Sequence, residues 1–269
     1  MVFTLSEEEI EDIVTNKFGL DELVMCKALP GYYDLNFHIS ARYKGKVSEY
    51  ILKAAITESE PVLRFQNHVM THLLEKGFSV QKIYKKSDGM EIVSYKGACI
   101  RLLSFLPGST ISISDYTPSL LEEIGALLAD LSYALLDFQY RIERDYIWDL
   151  NQFKKIGRYL DGLEKEDRLL IEQVLKSYNH IVVPLRIVIP SGIIHNDINQ
   201  KNLIVNKNQI TGILDFGDAV HSSIINDLAG TLAEFLVDKK PSFTHAKIIY
   251  RAYCKRRPLS DAEKNCLPI

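Results

Sequence analysis

Three short segments of the sequence carry the residue types that phosphoryl transfer requires. Lys53 ends a run of strand-forming residues, His195-Asn196-Asp197 is followed by Asn202, and Asp215-Phe216-Gly217 comes next along the chain. The reaction needs a cation on the phosphates, a carboxylate that accepts the proton of the attacking hydroxyl, and oxygen ligands for Mg²⁺. The interval from Asp197 to Asn202 matches the catalytic-loop pattern H-x-D-x-x-x-x-N. Each motif alone is weak, but the ordered set predicts phosphoryl transfer.

The chain between Asn202 and Asp215 is expected to bring these two side chains together. Residues 203–205 and 210–214 are apolar strand formers on either side of the turn sequence Asn206-Lys207-Asn208. Such a pattern predicts a β-hairpin, whose two outer ends lie side by side. Two oxygen-bearing metal ligands would therefore converge on one point.

A sheet with one internal helix is predicted for the first hundred residues. Ser6 and Glu9 form a capping box at the start of a helix that ends near Gly19. Strand formers on both sides of the turn Lys44-Gly45 predict a hairpin over residues 37–53. A helical apolar repeat follows over 62–77, and then come predicted strands at 80–84, 90–95 and 99–106.

The second part of the chain is predicted to be mainly helical. Helical apolar faces recur at residues 120–136, 167–178 and 224–237, and Leu103 to Gly108 is expected to connect the two parts. The predicted fold class is therefore α+β with two lobes. Residues 1–103 would form a mainly antiparallel sheet with a helix, and residues 104–269 a mainly helical lobe.

Composition excludes several classes of protein. The 269 residues are 46% hydrophobic, so a substantial core is expected, and a net charge of -3 offers no basic patch for nucleic acid. The four cysteines are widely spaced and predict no zinc site. No secretory leader or membrane segment is apparent, so a cytoplasmic protein is expected. Neither a P-loop nor a dinucleotide-binding G-x-G-x-x-G occurs.

The chain resembles the aminoglycoside phosphotransferase and choline kinase superfamily, which has a protein-kinase-like fold, and within it the hydroxylysine kinase branch. The likeness covers nearly the whole sequence. The segments that carry it are Pro30-Gly31-Tyr32-Tyr33-Asp34-Leu35-Asn36-Phe37, Arg101 to Gly108, Tyr146-Ile147-Trp148-Asp149-Leu150, Ile194 to Asn199, and Ile213 to His221.

This resemblance implies a role for particular residues. Asp197 would be the catalytic base, Asn202 and Asp215 the Mg²⁺ ligands, and Lys53 the cation on the phosphates. A turn from Gly31 to Asn36 would cover the phosphates, and the backbone of Ser104 to Leu106 would face the nucleotide base. The branch implies GTP as donor and 5-hydroxylysine as acceptor. ATP as donor, and homoserine, choline or an aminoglycoside as acceptor, remain alternatives within the superfamily.

Three features depart from the expected pattern. Protein kinases pair the strand lysine with a helix glutamate, but the aligned position here is Gln66, with Glu58, Glu60 and Glu75 as substitutes. The phosphate-covering turn keeps only Gly31, so Asn36 is expected to help hold the phosphates. The sequence also ends at residue 269, before the last helices that are usual in the family. A truncated, catalytically silent nucleotide-binding form is therefore a second hypothesis.

Several polar residues near these motifs have two interpretations. Trp148 and Asp149 could bind an acceptor ammonium through the ring face and the carboxylate, or could be a core side chain and a helix cap before residues 151–161. Asp218 is expected near the metal or the acceptor amine. His195 is expected to organise the catalytic loop, and Asp227, in an apolar helix, to brace it.

Overall fold

The computed structural model describes residues 3–31, 33–86, 88–236 and 243–267. The chain divides into two compact units, Met1–Pro107 and Gly108–Ile269. The division falls inside the predicted connecting segment at residues 103–108. The first unit is built on an antiparallel sheet and the second is mainly helical, so the predicted α+β class is confirmed.

The first unit contains a five-stranded antiparallel sheet with the strand order β1-β2-β3-β5-β4. In β2, Phe37, Ile39 and Ala41 alternate as buried residues, as expected for a strand with one face on the core. The predicted hairpin is confirmed, because Lys44 and Gly45 both adopt positive φ in the tight turn after β2. The strands are β1 Glu22–Leu29, β2 Leu35–Tyr43, β3 Lys46–Ala55, β4 Val93–Tyr95 and β5 Ala98–Ser104.

Two helices complete the first unit. Helix α1, Glu7–Asp12, starts with the predicted capping box between Ser6 and Glu9 and continues as a π-helical turn, Ile13–Lys17. Gly19, with φ of 74°, follows its end. Helix α2, Glu60–Glu75, buries three residues of the predicted apolar repeat, Phe65, Val69 and Leu73.

Two strand predictions in the first unit were wrong in extent, and one strand was missed. Residues 80–84 give only an isolated bridge, because the segment bonds Ser104 partly through side chains: Lys82 N donates to Ser104 Oγ, and Gln81 Nε2 to Ser104 O. The strand predicted at 90–95 is shortened to β4. Strand β1 was not predicted, because a bulge between Leu23 and Met25 interrupts its alternation.

The second unit combines two small sheets with helices. Strands β6 Ser109–Thr110, β8 Leu203–Asn206 and β9 Gln209–Ile213 form one sheet, and β7 Ser191–Ile194 pairs with β10 Val220–Ser223 in the other. The predicted helices at 120–136, 167–178 and 224–237 correspond to α3 Pro118–Ala134, α4 Lys165–Ser177 and α6 Ile225–Leu236. Val237 lies outside the described residues.

The remaining helical segments of the second unit are short or were not predicted. The segment expected as a helix at 151–161 is a 3₁₀ helix, Leu150–Gly162. Helix α5 is Val183–Leu185, and α7 Phe243–Arg256 and α8 Asp261–Cys266 follow α6. Helix α7 packs on α3 at Gly125, where a Cβ would lie 2.2 Å from the carbonyl oxygen of Ile249. None of the described helices is both long and apolar enough to cross a bilayer.

Candidate active site

A buried carboxylate holds the backbone of the segment that follows β7. Asp227 in α6 accepts hydrogen bonds from the backbone N–H groups of His195 (3.1 Å) and Asn196 (2.6 Å). Burial raises the pKa of this carboxyl. Asn196 adopts a left-handed conformation, with φ of 69°, as the chain turns away from the strand. Asp227 therefore braces the catalytic loop, as the sequence predicts.

The fully buried His195 ties this loop to the end of the β8–β9 hairpin. Its Nε2 lies 2.9 Å from the carbonyl oxygen of Leu214, which can only accept, so Nε2 carries the proton. Its Nδ1 accepts a hydrogen bond from the backbone N–H of Asp197 at 3.3 Å. Both ring nitrogens are thus engaged by the backbone, and the side chain organises the loop rather than facing a reactant.

Asp197 is held by two side-chain amides. Asn199 Nδ2 donates to Oδ1 at 2.7 Å, and Asn202 Nδ2 donates to Oδ2 at 2.7 Å and to the backbone oxygen of Asp197 at 2.9 Å. Burial, and next the negative charge of Asp218, raise the pKa of Asp197 to about 6. A fixed carboxylate with a pKa near neutrality suits proton transfer from a hydroxyl.

The hairpin places Asn202 beside Leu214, the residue before Asp215. Leu203 pairs with Ile213, and Leu214 N donates to the backbone oxygen of Asn202 at 2.8 Å. Asp215 lies in the left-handed region at φ 57°, and its Oδ1 accepts from Gly217 N at 3.2 Å. The exposed Asp215 carboxylate therefore begins the turn immediately beyond the hairpin.

The chemistry of this group fits a hard divalent cation. The negative charges of Asp218 and Asp215 both raise the pKa of Asp197, so these carboxylates lie close enough to affect its ionisation. Among the described residues, no three His, Cys, Asp or Glu side chains enclose a metal by themselves. Mg²⁺ is commonly bound by one or two carboxylates together with phosphate oxygens and water. Asn202 and Asp215 offer such a partial set.

Two residues that the sequence reasoning did not single out hold Asp218. The hydroxyl of Tyr146 donates to Asp218 Oδ1, and Arg144 donates to the backbone oxygens of Gly217 (2.7 Å) and Ala219 (3.3 Å). The Arg144 guanidinium lies 3.8 Å from the centre of the Tyr146 ring. Burial raises the pKa of Asp218, and the Tyr146 hydrogen bond acts in the opposite direction. No sequence spacing predicts this contact.

Trp148 and Asp149 have very different surroundings. Asp149 is only 4% exposed, and its Oδ1 accepts hydrogen bonds from Asn151 N (2.9 Å) and Ser222 Oγ (2.5 Å) at the start of the 3₁₀ helix. These contacts favour the capping alternative for Asp149 over the acceptor role. Trp148 is 55% exposed, and its backbone oxygen accepts from Asn196 Nδ2 at 3.2 Å. An acceptor-binding role for this ring stays a prediction.

A cleft in the second unit lies away from this group. It encloses about 560 Å³, and Arg186, Ser191 and His221 are among its lining residues. Ser191 begins β7, whereas Asp197 lies beyond the other end of that strand. The cleft is therefore not part of the carboxylate group around Asp197.

In the first unit, Lys53 lies near the end of β3, opposite Asn36 in β2 and Arg101 in β5. Its Nζ is 3.6 Å from Oδ2 of Asp34, in the predicted phosphate-covering turn. Glu60 instead pairs with Arg64 on the same helix, and Glu75 is exposed. Asp34, which was not among the predicted substitutes, is thus a carboxylate beside Lys53, and the part predicted for Glu58 stays a prediction.

The other predicted nucleotide-binding residues divide between the turn and the end of β5. Gly31 and Asn36 both approach the carbonyl oxygen of Asp34. Ser104 O accepts from Gln81 Nε2 at 3.0 Å, and Phe105 N donates to Glu49 O at 3.3 Å. Within the described residues, neither backbone group of Leu106 pairs with another backbone group.

This fold and site define a class of enzyme. The chain belongs to the phosphotransferase enzyme family, which matches residues 27–259. It is a small-molecule kinase, a phosphotransferase with an alcohol group as acceptor.

Two relatives with named activities are similar to this chain in sequence. The chain is similar to a hydroxylysine kinase from Danio rerio, with 26% identity over 98% of this chain and 79% of that protein. It is also similar to a homoserine kinase from Agrobacterium fabrum, with 24% identity over 98% of this chain and 81% of that protein.

Solved structures share the fold. A microcompartment-associated aminopropanol kinase has a TM-score of 0.76 and 16% identity over 96% of this chain and 83% of that one. An amicoumacin kinase in complex with AMP-PNP and Ca²⁺ has a TM-score of 0.72 and 19% identity over 96% of this chain and 82% of that one. The predicted protein-kinase-like fold is thereby confirmed.

Proposed function

We propose that this enzyme transfers the γ-phosphate of GTP to the side-chain hydroxyl of 5-hydroxy-L-lysine. The observation that supports the reaction type is the Asp197 carboxylate, which accepts a hydrogen bond from Asn202. Asn202 lies just before the β8–β9 hairpin, and the turn that begins with Asp215 lies just after it. The acceptor rests on the similarity to hydroxylysine kinases over 98% of the chain.

Asp197 is the proposed catalytic base. The amides of Asn199 and Asn202 fix its two oxygens, so a lone pair can be directed at the acceptor hydroxyl without reorganisation. As the hydroxyl oxygen attacks the γ-phosphorus, the bond from that phosphorus to the β–γ bridging oxygen breaks, GDP leaves, and the hydroxyl proton passes to the Asp197 carboxylate. A pKa of about 6 leaves the carboxylate mostly ionised at neutral pH and still able to accept the proton.

Asn202 and Asp215 are the proposed Mg²⁺ ligands. A bound Mg²⁺ supplies charge neutralisation across the phosphates. In the amicoumacin kinase structure the nucleotide analogue is accompanied by Ca²⁺, another hard divalent cation that prefers oxygen ligands. Asn202 gives both of its hydrogen bonds to Asp197 through Nδ2, so its side-chain oxygen Oδ1 is the atom that would bind the ion.

The first unit is the proposed nucleotide-binding part. Lys53 would hold phosphate oxygens, and the turn with Gly31 and Asn36 would cover them. The backbone of Ser104 and Leu106 would face the purine. Guanine and adenine differ in the donors and acceptors at their edges, so discrimination is expected at the backbone groups of Leu106, which make no backbone–backbone hydrogen bond within the described residues.

Asp218 is the proposed partner of the acceptor ammonium, with the exposed Trp148 ring as a second contact. Its carboxylate is oriented by Tyr146, in the turn that also carries Asp215. Asp149 is left out of this role because its carboxylate is buried in a helix cap.

The alternative is a kinase of another hydroxylated amine or amino acid that uses ATP. The similarity to homoserine kinases favours homoserine among these acceptors. A form that binds nucleotide without turnover is the further alternative.

One experiment separates these functions. The purified protein is assayed with 5-hydroxylysine, homoserine, choline and an aminoglycoside, each with GTP and with ATP, alongside the Asp197→Asn variant. Turnover on hydroxylysine that is lost in the variant supports the proposal. Preference for homoserine would overturn the acceptor, and nucleotide binding without any turnover would indicate the silent form.

A further inference from the structure

The ammonium of Lys53 is accompanied by a carboxylate from an unexpected element. Asp34 Oδ2 lies 3.6 Å from Lys53 Nζ, and the two side chains are only 17% and 12% exposed. Water therefore screens this pair less than an ion pair on the open surface. The contact joins the β1–β2 turn to β3.

The turn is shaped to bring Asp34 to this position. A Cβ on residue 31 would lie 2.1 Å from the carbonyl oxygen of Asp34 and 2.8 Å from Asn36 Nδ2, so only glycine fits. Asn36 Nδ2 donates to the same carbonyl oxygen at 3.5 Å. Asn36 is also the cross-strand partner of Lys53. Gly31, Asn36 and Asp34 therefore form one local structure next to the lysine.

We propose that Asp34 is a positioning residue that holds Lys53 in the conformation that binds nucleotide phosphates. The inference rests on the proposed kinase function. A lysine ammonium has three N–H donors, so an ion pair with one carboxylate is compatible with contacts to phosphate oxygens. Gln66, buried in α2, carries no charge to fix the ammonium. Asp34, just before β2, supplies a negative charge beside the ammonium.

This role also gives Gly31 a specific function. The glycine is needed because the Asp34 carbonyl approaches it closely, whether or not the backbone also approaches phosphate. A methyl group at residue 31 would displace Asp34 from Lys53. Gly31→Ala and Asp34→Asn should therefore weaken the same step, and their effects should not add when combined.

The test is a double-mutant cycle between Asp34 and Lys53. Affinity for a fluorescent GTP analogue and the KM for GTP are measured for Asp34→Asn, Lys53→Met and the double variant. Because a charged partner is lost, Asp34→Asn should weaken nucleotide affinity about tenfold. In the Lys53→Met background the same change should have less than about a twofold effect, since Asp34 acts through the lysine.

Two further variants distinguish positioning from a general effect on folding. Asp34→Glu keeps the carboxylate and should recover most of the affinity. Glu22→Gln, which breaks the exposed Arg42–Glu22 ion pair in the same sheet, should leave affinity unchanged. Unchanged or tighter GTP binding in Asp34→Asn would overturn the proposal, because the carboxylate would then be neutral toward phosphate or compete with it.

The binding measurement is independent of the acceptor. If the enzyme proves to phosphorylate homoserine instead of hydroxylysine, the cycle still reports on Asp34. Equal losses of GTP affinity on Asp34→Asn in the wild-type and Lys53→Met backgrounds would refute the inference while leaving the kinase function intact.

Discussion

The side-chain amide of Asn202 donates a hydrogen bond of 2.7 Å to the carboxylate of Asp197. The proposed metal ligand Asn202 and the proposed base are thus in direct contact. Leu214, the residue before Asp215, donates its backbone N–H to the backbone oxygen of Asn202. Any change at one of these residues is expected to alter its neighbours, so the variants below are chosen to separate their roles.

Asp197→Asn should lower kcat by about 10²–10⁴-fold, because the base is lost while the shape of the site is kept. Nucleotide affinity should change little, since proton transfer contributes in the transition state. Steady-state kinetics and nucleotide titration measure the two quantities. Asp161→Asn, on a freely exposed side chain, is the control and should match the wild type. Loss of nucleotide binding comparable to the loss of kcat would remove Asp197 from the role of base.

Asp215→Ala should raise the Mg²⁺ concentration needed for half-maximal activity about tenfold or more, because a charged oxygen ligand is removed. The measurement is a Mg²⁺ titration at saturating nucleotide. Asp215 is exposed, and the hydrogen bond that it accepts from Gly217 N lies within its own turn, so the fold should survive the change. An unaltered Mg²⁺ dependence would contradict a metal-binding role.

The pH dependence of kcat/KM should show an acid limb governed by Asp197. Its pKa of about 6 means that the ionised base is lost as the pH falls below that value, so activity drops about tenfold per pH unit there. Asp218→Asn removes a neighbouring negative charge that raises this pKa, and the limb should move to lower pH. A limb that does not move would show that Asp218 has no influence on the base.

Local sequence patterns were sufficient for much of the fold. Capping at Ser6, the turn at Lys44-Gly45 and the hairpin after Asn202 depend on neighbouring residues, so their predictions were confirmed. Strand β1 was missed because its bulge breaks the alternation on which strand prediction depends. The strand predicted at 80–84 failed because side chains replace part of the ladder.

The candidate site was predictable only where a motif has fixed spacing. Asp197 and Asn202 are five residues apart within one loop, and the structure joins them. Tyr146 and Asp218 are separated by 72 residues, and Asp34 reaches Lys53 from the position just before β2. Contacts of this kind depend on how distant elements pack against each other, and no local sequence pattern predicts them.

Asp227→Ala should destabilise the second unit by about 2–4 kcal/mol, because the buried N–H of His195 and the partly buried N–H of Asn196 lose their acceptor. Urea unfolding measures the change in the free energy of unfolding. Asp227→Asn keeps one acceptor oxygen and should lower the free energy of unfolding by less than Asp227→Ala. Asp130→Ala, which breaks an exposed pair with Arg256, should change stability by less than about 1 kcal/mol. Equal losses of unfolding free energy in Asp227→Ala and Asp130→Ala would contradict the bracing role.

Tyr146→Phe should raise the KM for an acceptor that carries an ammonium group, by about tenfold if the full bond to a charged group is lost. The phenol hydroxyl favours the ionised form of Asp218, so its removal raises the pKa of that carboxyl and weakens its attraction for a cation.

The measurement for Tyr146→Phe compares the KM for 5-hydroxylysine with that for its amine-acetylated form, at saturating nucleotide. Only the charged acceptor should lose affinity, and Tyr159→Phe, at an exposed ring, should have no effect. If both acceptors lose affinity equally, Tyr146 supports the Asp215–Asp218 turn as a whole, because a defect specific to ammonium recognition requires the charge on the acceptor.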